Sequence, residues 1–150
     1  MEKHVKAKPR LWSELQYNEA MEFHGHGGPY MVVGLRMGYI ALKELESVGW
    51  FDISCKAKLR LTPPDSCVID GLQCSTGCTL GKGNISVEEG EGVSATFTSR
   101  MRTVKIKLRE NIVREISSAL DGISQRKCGT DDPLVVRLFG MKDNELFEID

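Results

Sequence analysis

Two of the chain's three histidines, His24 and His26, are separated by one glycine and followed by Gly-Gly-Pro. Neutral imidazole nitrogens bind transition metals, and Gly25 permits the backbone bend that would bring the two rings together. Pro29 is well placed for the first turn of a helix, whose free N–H groups attract anions. The stretch is therefore compatible with a metal site, an anion or substrate contact, or an ordinary loop.

The cysteines favour the metal interpretation. Cys67, Cys74 and Cys78 lie in one short segment, and the last two have a C-x3-C spacing that is within the range of zinc ligands. A mixed set of imidazoles and thiolates favours zinc or another late transition metal over magnesium and calcium. We interpret Cys55 as a small core residue and give no role to Cys128.

Two charged residues near these cysteines are candidates for supporting roles. Asp70 is on the same short predicted helix as Cys67 and is a natural partner for an imidazole N–H, although it could also be a solvated carboxylate. Lys82 is at the tip of a glycine-rich turn and could offer its charge to an anion. This turn fits neither a P-loop nor a dinucleotide-binding fingerprint, because the glycine spacing and the following residues differ. His4 is given no role.

The composition is that of an ordinary globular domain, with 150 residues, of which 41% are hydrophobic and 27% charged. A net charge of −1 argues against a general nucleic-acid binder. The first residues contain no apolar secretory signal, and no stretch is long and apolar enough to span a bilayer. We therefore expect one cytoplasmic domain over residues 1–150, with reduced cysteines and with neither nucleic acid nor membrane as a partner.

The hydrophobic pattern predicts helices and strands that do not alternate regularly. Helical periodicity covers residues 11–25 and 29–49, and Gly34 and Gly38 in the second helix would allow another helix to approach closely. The other predicted elements are a strand over 52–62, a short helix from Asp65 or Ser66 to Gly77, a hairpin over 84–99 with its turn at Glu89–Gly92, a strand over 102–109, a helix over 110–122, a short helix over 132–140 and an extended segment over 145–149. This order predicts an α+β fold in which N-terminal helices pack on a mixed, mainly antiparallel sheet.

The segments "FHGHGGPYMVVGLRMGYIAL" and "DSCVIDGLQCSTGCTLGKGN" together resemble the FmdE family, named for one of the subunits of formylmethanofuran dehydrogenase. The typical family blocks are F-H-G-H-x-C-P-G and C-x-x-D-[AG]-[IL]-Q-x-x-T-G-C-T-x-G-K-G-N. The second block is matched by Cys67, Asp70, Gln73, Thr76, Gly77, Cys78, Thr79, Gly81, Lys82, Gly83 and Asn84. The resemblance covers residues 15–109.

The first block departs from the family pattern. Where the family has a cysteine after the second histidine, this chain has Gly27 or Gly28, depending on the alignment. Cys74 occupies a position that is usually apolar, so it ranks below the other two cysteines of its segment as a ligand. Longer relatives carry a C-terminal zinc ribbon, and we expect none in this chain.

The resemblance implies a sheet like that of the second domain of glyceraldehyde-phosphate dehydrogenases, a homodimer, and a metal-associated pocket between the HGH loop (residues 24–28) and the cysteine-containing helix. The predicted ligands of zinc or another late transition metal are His24, His26, Cys67 and Cys78. The predicted pocket residues are Asp70, Gln73, Cys74, Thr76, Thr79 and Lys82.

Three functional alternatives remain open at this stage. A metal held by three protein ligands would leave a position for water or substrate, and Lys82 would then stabilise developing negative charge. The domain could instead have an accessory role, docking on a molybdenum or tungsten redox enzyme. Cys74 and Cys78 could also act as a thiol-redox pair. The sequence does not specify the substrate or the reaction.

Overall fold

Six helices precede, interrupt and follow five strands in the computed structural model, which describes residues 14–120 and 132–150. The helices are α1 (Glu14–His24), α2 (Pro29–Glu44), α3 (Cys67–Thr76), α4 (Glu110–Leu120), α5 (Pro133–Gly140) and α6 (Asp143–Leu146). The strands are β1 (Ser54–Leu59), β2 (Ile85–Glu89), β3 (Val93–Ser99), β4 (Arg102–Leu108) and β5 (Phe147–Ile149). The predictions made for His4 and Cys128 concern residues outside the described ranges.

The strands form one sheet in the order β2-β1-β3-β4-β5. β1 and β2 pair in parallel, whereas the other three pairs of neighbours are antiparallel. Alternate side chains of β1 and β3 are buried, as their alternating apolar pattern predicts, and Cys55 is one of these core residues. The predicted α+β fold with a mixed, mainly antiparallel sheet is confirmed.

The predicted hairpin over residues 84–99 is wrong, because β1 lies between β2 and β3. After α3 the chain returns beside β1 in the same direction, so β1, α3 and β2 form a parallel crossover unit. The glycine-containing turn Gly90–Gly92 then crosses the end of β1, where the N–H of Gly90 donates to the carbonyl of Leu59 over 3.1 Å. Gly90 and Gly92 therefore belong to a connection that passes over the end of β1, and they do not form a tight hairpin turn.

Two other boundaries differ from the sequence predictions. α2 ends at Glu44 and not at Gly49, because Glu46 has a left-handed φ of 50° and the N–H of Ser47 turns back to the carbonyl of Leu42. In the C-terminal segment, residues 143–146 form α6, so only residues 147–149 are extended.

Two basic side chains of α2 form hydrogen bonds and ion pairs with α5 and α6. Arg36 donates to the carbonyls of Leu138 and Phe139 at the end of α5, and to Asp143 at the start of α6 over 2.7 Å. Lys43 donates to the other oxygen of Asp143. Burial opposes ionisation of Asp143, but the hydrogen bonds from Lys43 and Arg36 outweigh burial and lower its pKa.

The backbones of α2 and α3 are in direct contact. Gly34 faces the middle of α3 and Gly38 faces its last turn, so the two helices run in the same direction. A Cβ atom at Gly34 would overlap the carbonyl oxygen of Val68, and one at Gly71 would lie 2.8 Å from the nitrogen of Leu35. The close approach predicted from the glycines of α2 is confirmed, and it places the N-termini of α2 and α3 side by side. None of the described helices is long and apolar enough to cross a bilayer.

Candidate metal centre

The end of α1, the HGH loop and the start of α3 meet at one corner of the helical layer. α1 ends at His24, and Gly25 has a left-handed φ of 94° that turns the chain towards α2. His26 follows in the loop, and Cys67 is the first residue of α3. Because α2 and α3 are parallel, the loop before α2 lies beside the start of α3.

His24, His26 and Cys67 converge at this corner. One potential ligand atom from each lies within 4.8 Å of the other two, and the ring centroids of the two histidines are 4.4 Å apart. A tetrahedral ion with ligand bonds of about 2.0–2.3 Å would need these three atoms about 3–4 Å apart. The side chains would have to move only slightly closer together to bind such an ion. The structure thus contains a His/Cys group that could bind a metal ion.

The hydrogen bonds of the two imidazoles define which nitrogen is available. Nδ1 of His24 donates to Oδ2 of Asp70 over 2.5 Å, and Nδ1 of His26 donates to the carbonyl of Gly27 over 2.9 Å. Both partners are acceptors, so in each neutral ring the proton is on Nδ1 and the free lone pair is on Nε2. The contact predicted between Asp70 and an imidazole N–H is therefore present, and it suits metal ligation through Nε2.

One ring nitrogen of His24 is buried and lacks a hydrogen-bond partner within the described part of the chain. Its side chain is 10% exposed, and its Nε2 is buried without a hydrogen-bond partner among the described residues. Leaving such an atom unpaired costs about 1–3 kcal/mol, and most buried polar groups have a partner. A metal ion would supply that partner, so the donor set fits the transition metal that the sequence predicts.

Asp70 is held on both oxygens. Nε2 of Gln73 donates to Oδ1 of Asp70 over 3.1 Å, while Oδ2 accepts a hydrogen bond from Nδ1 of His24. A carboxylate bound in this way fixes the rotation of the imidazole and increases the basicity of its other nitrogen. Asp70 and Gln73, two of the predicted pocket residues, are thus beside the His/Cys group.

The environment of Cys67 favours the neutral thiol while no cation is present. Burial raises its pKa, and the negative charges of Asp70 and Asp65 raise it further. A divalent ion would reverse this preference, because positive charge next to sulfur stabilises the thiolate. Metal binding at Cys67 is therefore expected to release a proton.

The structure does not bring Cys78 to this group. α3 has ten residues and is about 15 Å long, and Cys78 follows the C-cap at Gly77, at the opposite end from Cys67. Its side chain is fully buried, and its sulfur donates to the carbonyl of Ile53 over 3.5 Å. Within the described residues, the chain's own fold brings together three of the four predicted ligands.

Several predicted pocket residues also lie at this opposite end. Lys82 places its ammonium group 5.6 Å from the ring centre of Trp50 and 5.7 Å from that of Phe51, and it donates to the hydroxyl of Thr79. The hydroxyl of Thr76 accepts from the backbone N–H of the residue two positions later. These contacts order the glycine-rich turn, and Lys82 is not positioned to stabilise charge at the His/Cys group.

Cys74 and Cys78 lack the properties of a reactive thiol pair. Cys74 is partly buried and packs against the core, and Cys78 is fully buried. Burial raises the pKa of Cys78, although a hydrogen bond with Thr76 and the charge of Lys82 lower it in part. Reactive thiols are usually exposed and have a lowered pKa, so this geometry does not favour the thiol-redox alternative.

Two residues that matter to these loops, Gly27 and Asn84, were compared with the family pattern but were assigned no role from the sequence. The backbone carbonyl of Gly27 accepts a hydrogen bond from His26. Every residue type has such a carbonyl, so no sequence signal could have identified this role. Asn84 stabilises the glycine-rich turn. Its side-chain oxygen accepts a hydrogen bond from the N–H of Thr79, and its side-chain nitrogen donates to the carbonyl of Trp50. Asparagine in a turn is a recognisable signal for such a role.

Comparison with known proteins identifies relatives. The chain is 40% identical over 73 residues to a protein from Archaeoglobus fulgidus described as "Probable S-adenosyl-L-methionine-binding protein", and the match covers 44% of this chain and 18% of the relative. The chain thus spans less than a fifth of the length of that relative. A family model described as "FmdE, Molybdenum formylmethanofuran dehydrogenase operon" matches residues 23–147. Since this match includes the HGH loop, all of α3 and the whole sheet but for its last residues, the chain belongs to the FmdE family.

Proposed function

We propose that this FmdE-family chain binds one transition-metal ion, zinc, through His24, His26 and Cys67, and that a fourth coordination position is open to an exogenous ligand. The observation that carries the proposal is the buried, unpartnered Nε2 of His24 beside a second imidazole and a thiol. Three protein ligands with one open position are typical of catalytic zinc sites, whereas structural sites use four.

The donor set supports a late transition metal such as zinc. Two imidazole nitrogens and one thiolate are borderline and soft ligands, which select zinc and other late transition metals over magnesium and calcium. The carboxylate of Asp70 is already hydrogen-bonded to His24 and Gln73, so it would orient the His24 ligand and would not itself bind the metal. The site therefore contains few of the hard oxygen donors that calcium or magnesium would need.

The chain's own residues have distinct tasks in this site. Asp70 and the carbonyl of Gly27 hold the two imidazoles in the tautomer that presents Nε2. Exposure of His26 leaves one side of the site accessible to solutes, while His24 and Cys67 line the buried side. A bound divalent ion would supply Lewis acidity and would lower the pKa of a coordinated water towards about 7.

The family description also supports a relation to formylmethanofuran dehydrogenase, and it favours an accessory association with such a complex. The homodimer and the cytoplasmic location stay predictions. The name of the Archaeoglobus relative refers to S-adenosyl-L-methionine, but the match covers too little of that protein to transfer its ligand.

Metal analysis of the purified protein tests the proposal. We expect about one equivalent of zinc per chain, removal by a chelator at neutral pH, and full uptake of zinc or cobalt afterwards. The cobalt form should show a thiolate-to-cobalt charge-transfer band and the intense visible absorption of a four-coordinate site. A protein that neither contains nor takes up a stoichiometric metal would refute the proposal.

Asp70→Asn should weaken the site without removing it. The oxygen of the amide can still accept a hydrogen bond from His24, but the amide carries no charge. The imidazole therefore becomes less basic and is held less firmly in its orientation. We expect metal affinity to fall about 10–100-fold, as is typical for loss of an outer hydrogen-bond partner. The measurement is competition for zinc against a chromophoric chelator.

Asp65→Asn is the matched control for this prediction. Asp65 is also close enough to Cys67 to raise its pKa, but it bonds to Arg60 and not to a histidine. We expect its zinc affinity to stay within about threefold of wild type, since no ligand loses its hydrogen-bond partner. Equal losses in the two variants would show that Asp70 contributes only its charge.

A further inference from the structure

We propose that the open face of the sheet binds a small phosphorylated molecule, in a cavity at the N-terminal ends of β1 and β2. The open face is the one opposite the core, on which Ser54, Lys56 and Lys58 of β1 are exposed. The cavity shares no residue with the His/Cys group, so this second site is independent of the metal.

Hydroxyl groups from three adjacent strands line this cavity, which has a volume of about 270 Å³. They belong to Ser54 of β1, to Ser86 of β2, and to Thr96 and Thr98 of β3. Ligand pockets usually start at about 300 Å³, so a cavity of this size suits a small molecule. The lining indicates a ligand that accepts several hydrogen bonds.

Two of these hydroxyls make only long hydrogen bonds within the protein. The hydroxyl of Ser54 is 3.5 Å from the carbonyl oxygen of Thr98, and the hydroxyls of Thr98 and Thr103 are 3.3 Å apart. Hydrogen bonds between oxygen atoms are normally about 2.7–2.8 Å long, so these contacts are weak. Both hydroxyls can therefore turn towards a ligand and donate to its oxygens.

Lys56 is the one charged residue that lines the cavity, among the residues that the structure describes. Its ammonium group is 3.6 Å from the carboxylate of Glu88, but both side chains are more than half exposed, and exposed ion pairs are weak. Glu88 also lies opposite Lys58 in the register of β1 and β2, so one carboxylate faces two lysines. An anion in the cavity therefore meets a net positive charge.

A third lysine adds positive charge on the other side of the hydroxyls. Lys105 of β4 lies opposite Thr96, so Thr96 is between Lys56 and Lys105. Neighbouring strands are about 4.8 Å apart, so the backbones of the two lysines are about 10 Å apart. Acidic side chains of the open face are at its two edges, on β2 and in residues 148–150. A phosphate group, with several anionic oxygens, can use the ammonium group and the hydroxyl donors together.

Titration of isotope-labelled protein, followed by the amide signals in nuclear magnetic resonance spectra, tests the proposal. The probes are inorganic phosphate and glycerol phosphate, with glycerol as the uncharged control, and sodium chloride holds the ionic strength constant because salt screens exposed charges. We expect saturable shifts of the Lys56, Ser86 and Thr96 signals, with a Kd of about 1 mM or below for both anions. Glycerol should bind at least about tenfold more weakly, because it lacks the charge that Lys56 attracts.

Lys56→Met and Lys58→Met form a matched pair of variants. Both remove a charge and keep an apolar stem on the same exposed face of β1, but Lys58 does not line the cavity. We expect the affinity for glycerol phosphate to fall about tenfold or more in Lys56→Met and by less than about threefold in Lys58→Met. Thr96→Val, which suits a strand, should lower it about fivefold by removing one hydrogen-bond donor.

Saturable shifts centred on the cavity, with glycerol phosphate bound at least as tightly as free phosphate, would support the proposal. Any of four results would overturn it: no saturable response to either anion, a site that takes phosphate but not its ester, glycerol that binds as tightly as the ester, or equal losses in the two lysine variants. A second copy of the chain that covers the open face would produce the first of these results. None of them involves the metal content, so the proposed function stands or falls separately.

Discussion

Cys67→Ala is expected to abolish stoichiometric metal binding, whereas Cys78→Ala should retain about one equivalent of zinc per chain. Cys67 supplies the sulfur of the His/Cys group, and its loss would leave two imidazoles, a weak site. The loss of affinity should exceed the about 10–100-fold expected for an outer partner. The measurement is metal content after gel filtration of zinc-loaded protein, with cobalt spectra to detect the thiolate band.

Cys78 is a well-matched control for Cys67. Both thiols are buried at an end of the same helix, and burial raises the pKa of each. Replacing either one removes a similar apolar volume, so circular dichroism should show that both variants fold. Equal metal loss in the two variants would contradict the three-residue site, because it would mean that Cys78 is a ligand in the assembled protein.

The position of Cys78 illustrates what sequence spacing cannot decide. Cys67 and Cys78 both flank the short predicted helix, and without a helix direction either end could face the histidines. The parallel packing of α2 and α3 decides it, and this depends on which glycines meet, namely Gly34 with Gly71. The sequence shows that these positions are small, but it does not show which pair of faces comes into contact.

Asp70 was predictable for a local reason. It is three residues after Cys67 on a helix, so both side chains point to the same face, and any imidazole that meets the thiol also meets the carboxylate. The spatial relation between two residues of one helix depends on helix geometry alone. It can therefore be predicted correctly even when the predicted tertiary arrangement is wrong. The chain reversal at Gly25, which aligns the two rings, is likewise local.

The sheet shows the same contrast between local and distant pairing. Burial alternation of β1 follows from its sequence, but the neighbours of β1 do not. The glycine-containing segment Glu89–Gly92 suggests a hairpin, because a turn between two predicted strands is normally taken to pair those two strands with each other. The sequence contains no sign that a third strand lies between them. The pairing of β1 with β2 is parallel and non-local, and it is possible because the intervening α3 provides the long connection that parallel strands require.

Gly34→Ala should destabilise the whole domain by about 3 kcal/mol or more, since overpacking typically costs about 1–3 kcal/mol even where only side chains must move. Here the new methyl group would overlap the backbone carbonyl of Val68 and lie 2.9 Å from the nitrogen of Leu72, so the two helices must separate. The measurement is urea-induced unfolding of the metal-free protein, followed by circular dichroism.

The same substitution should also weaken metal binding, because α2 and α3 position His26 and Cys67 at their adjacent N-termini. Gly140→Ala is the matched control, since Gly140 ends α5 and an added Cβ atom there has no neighbour within 4 Å. Alanine should leave the stability of this control unchanged or raise it by up to about 1 kcal/mol. A Gly34→Ala protein within about 0.5 kcal/mol of wild type would show that α2 and α3 are not in backbone contact. The proximity of His26 and Cys67 would then need another cause.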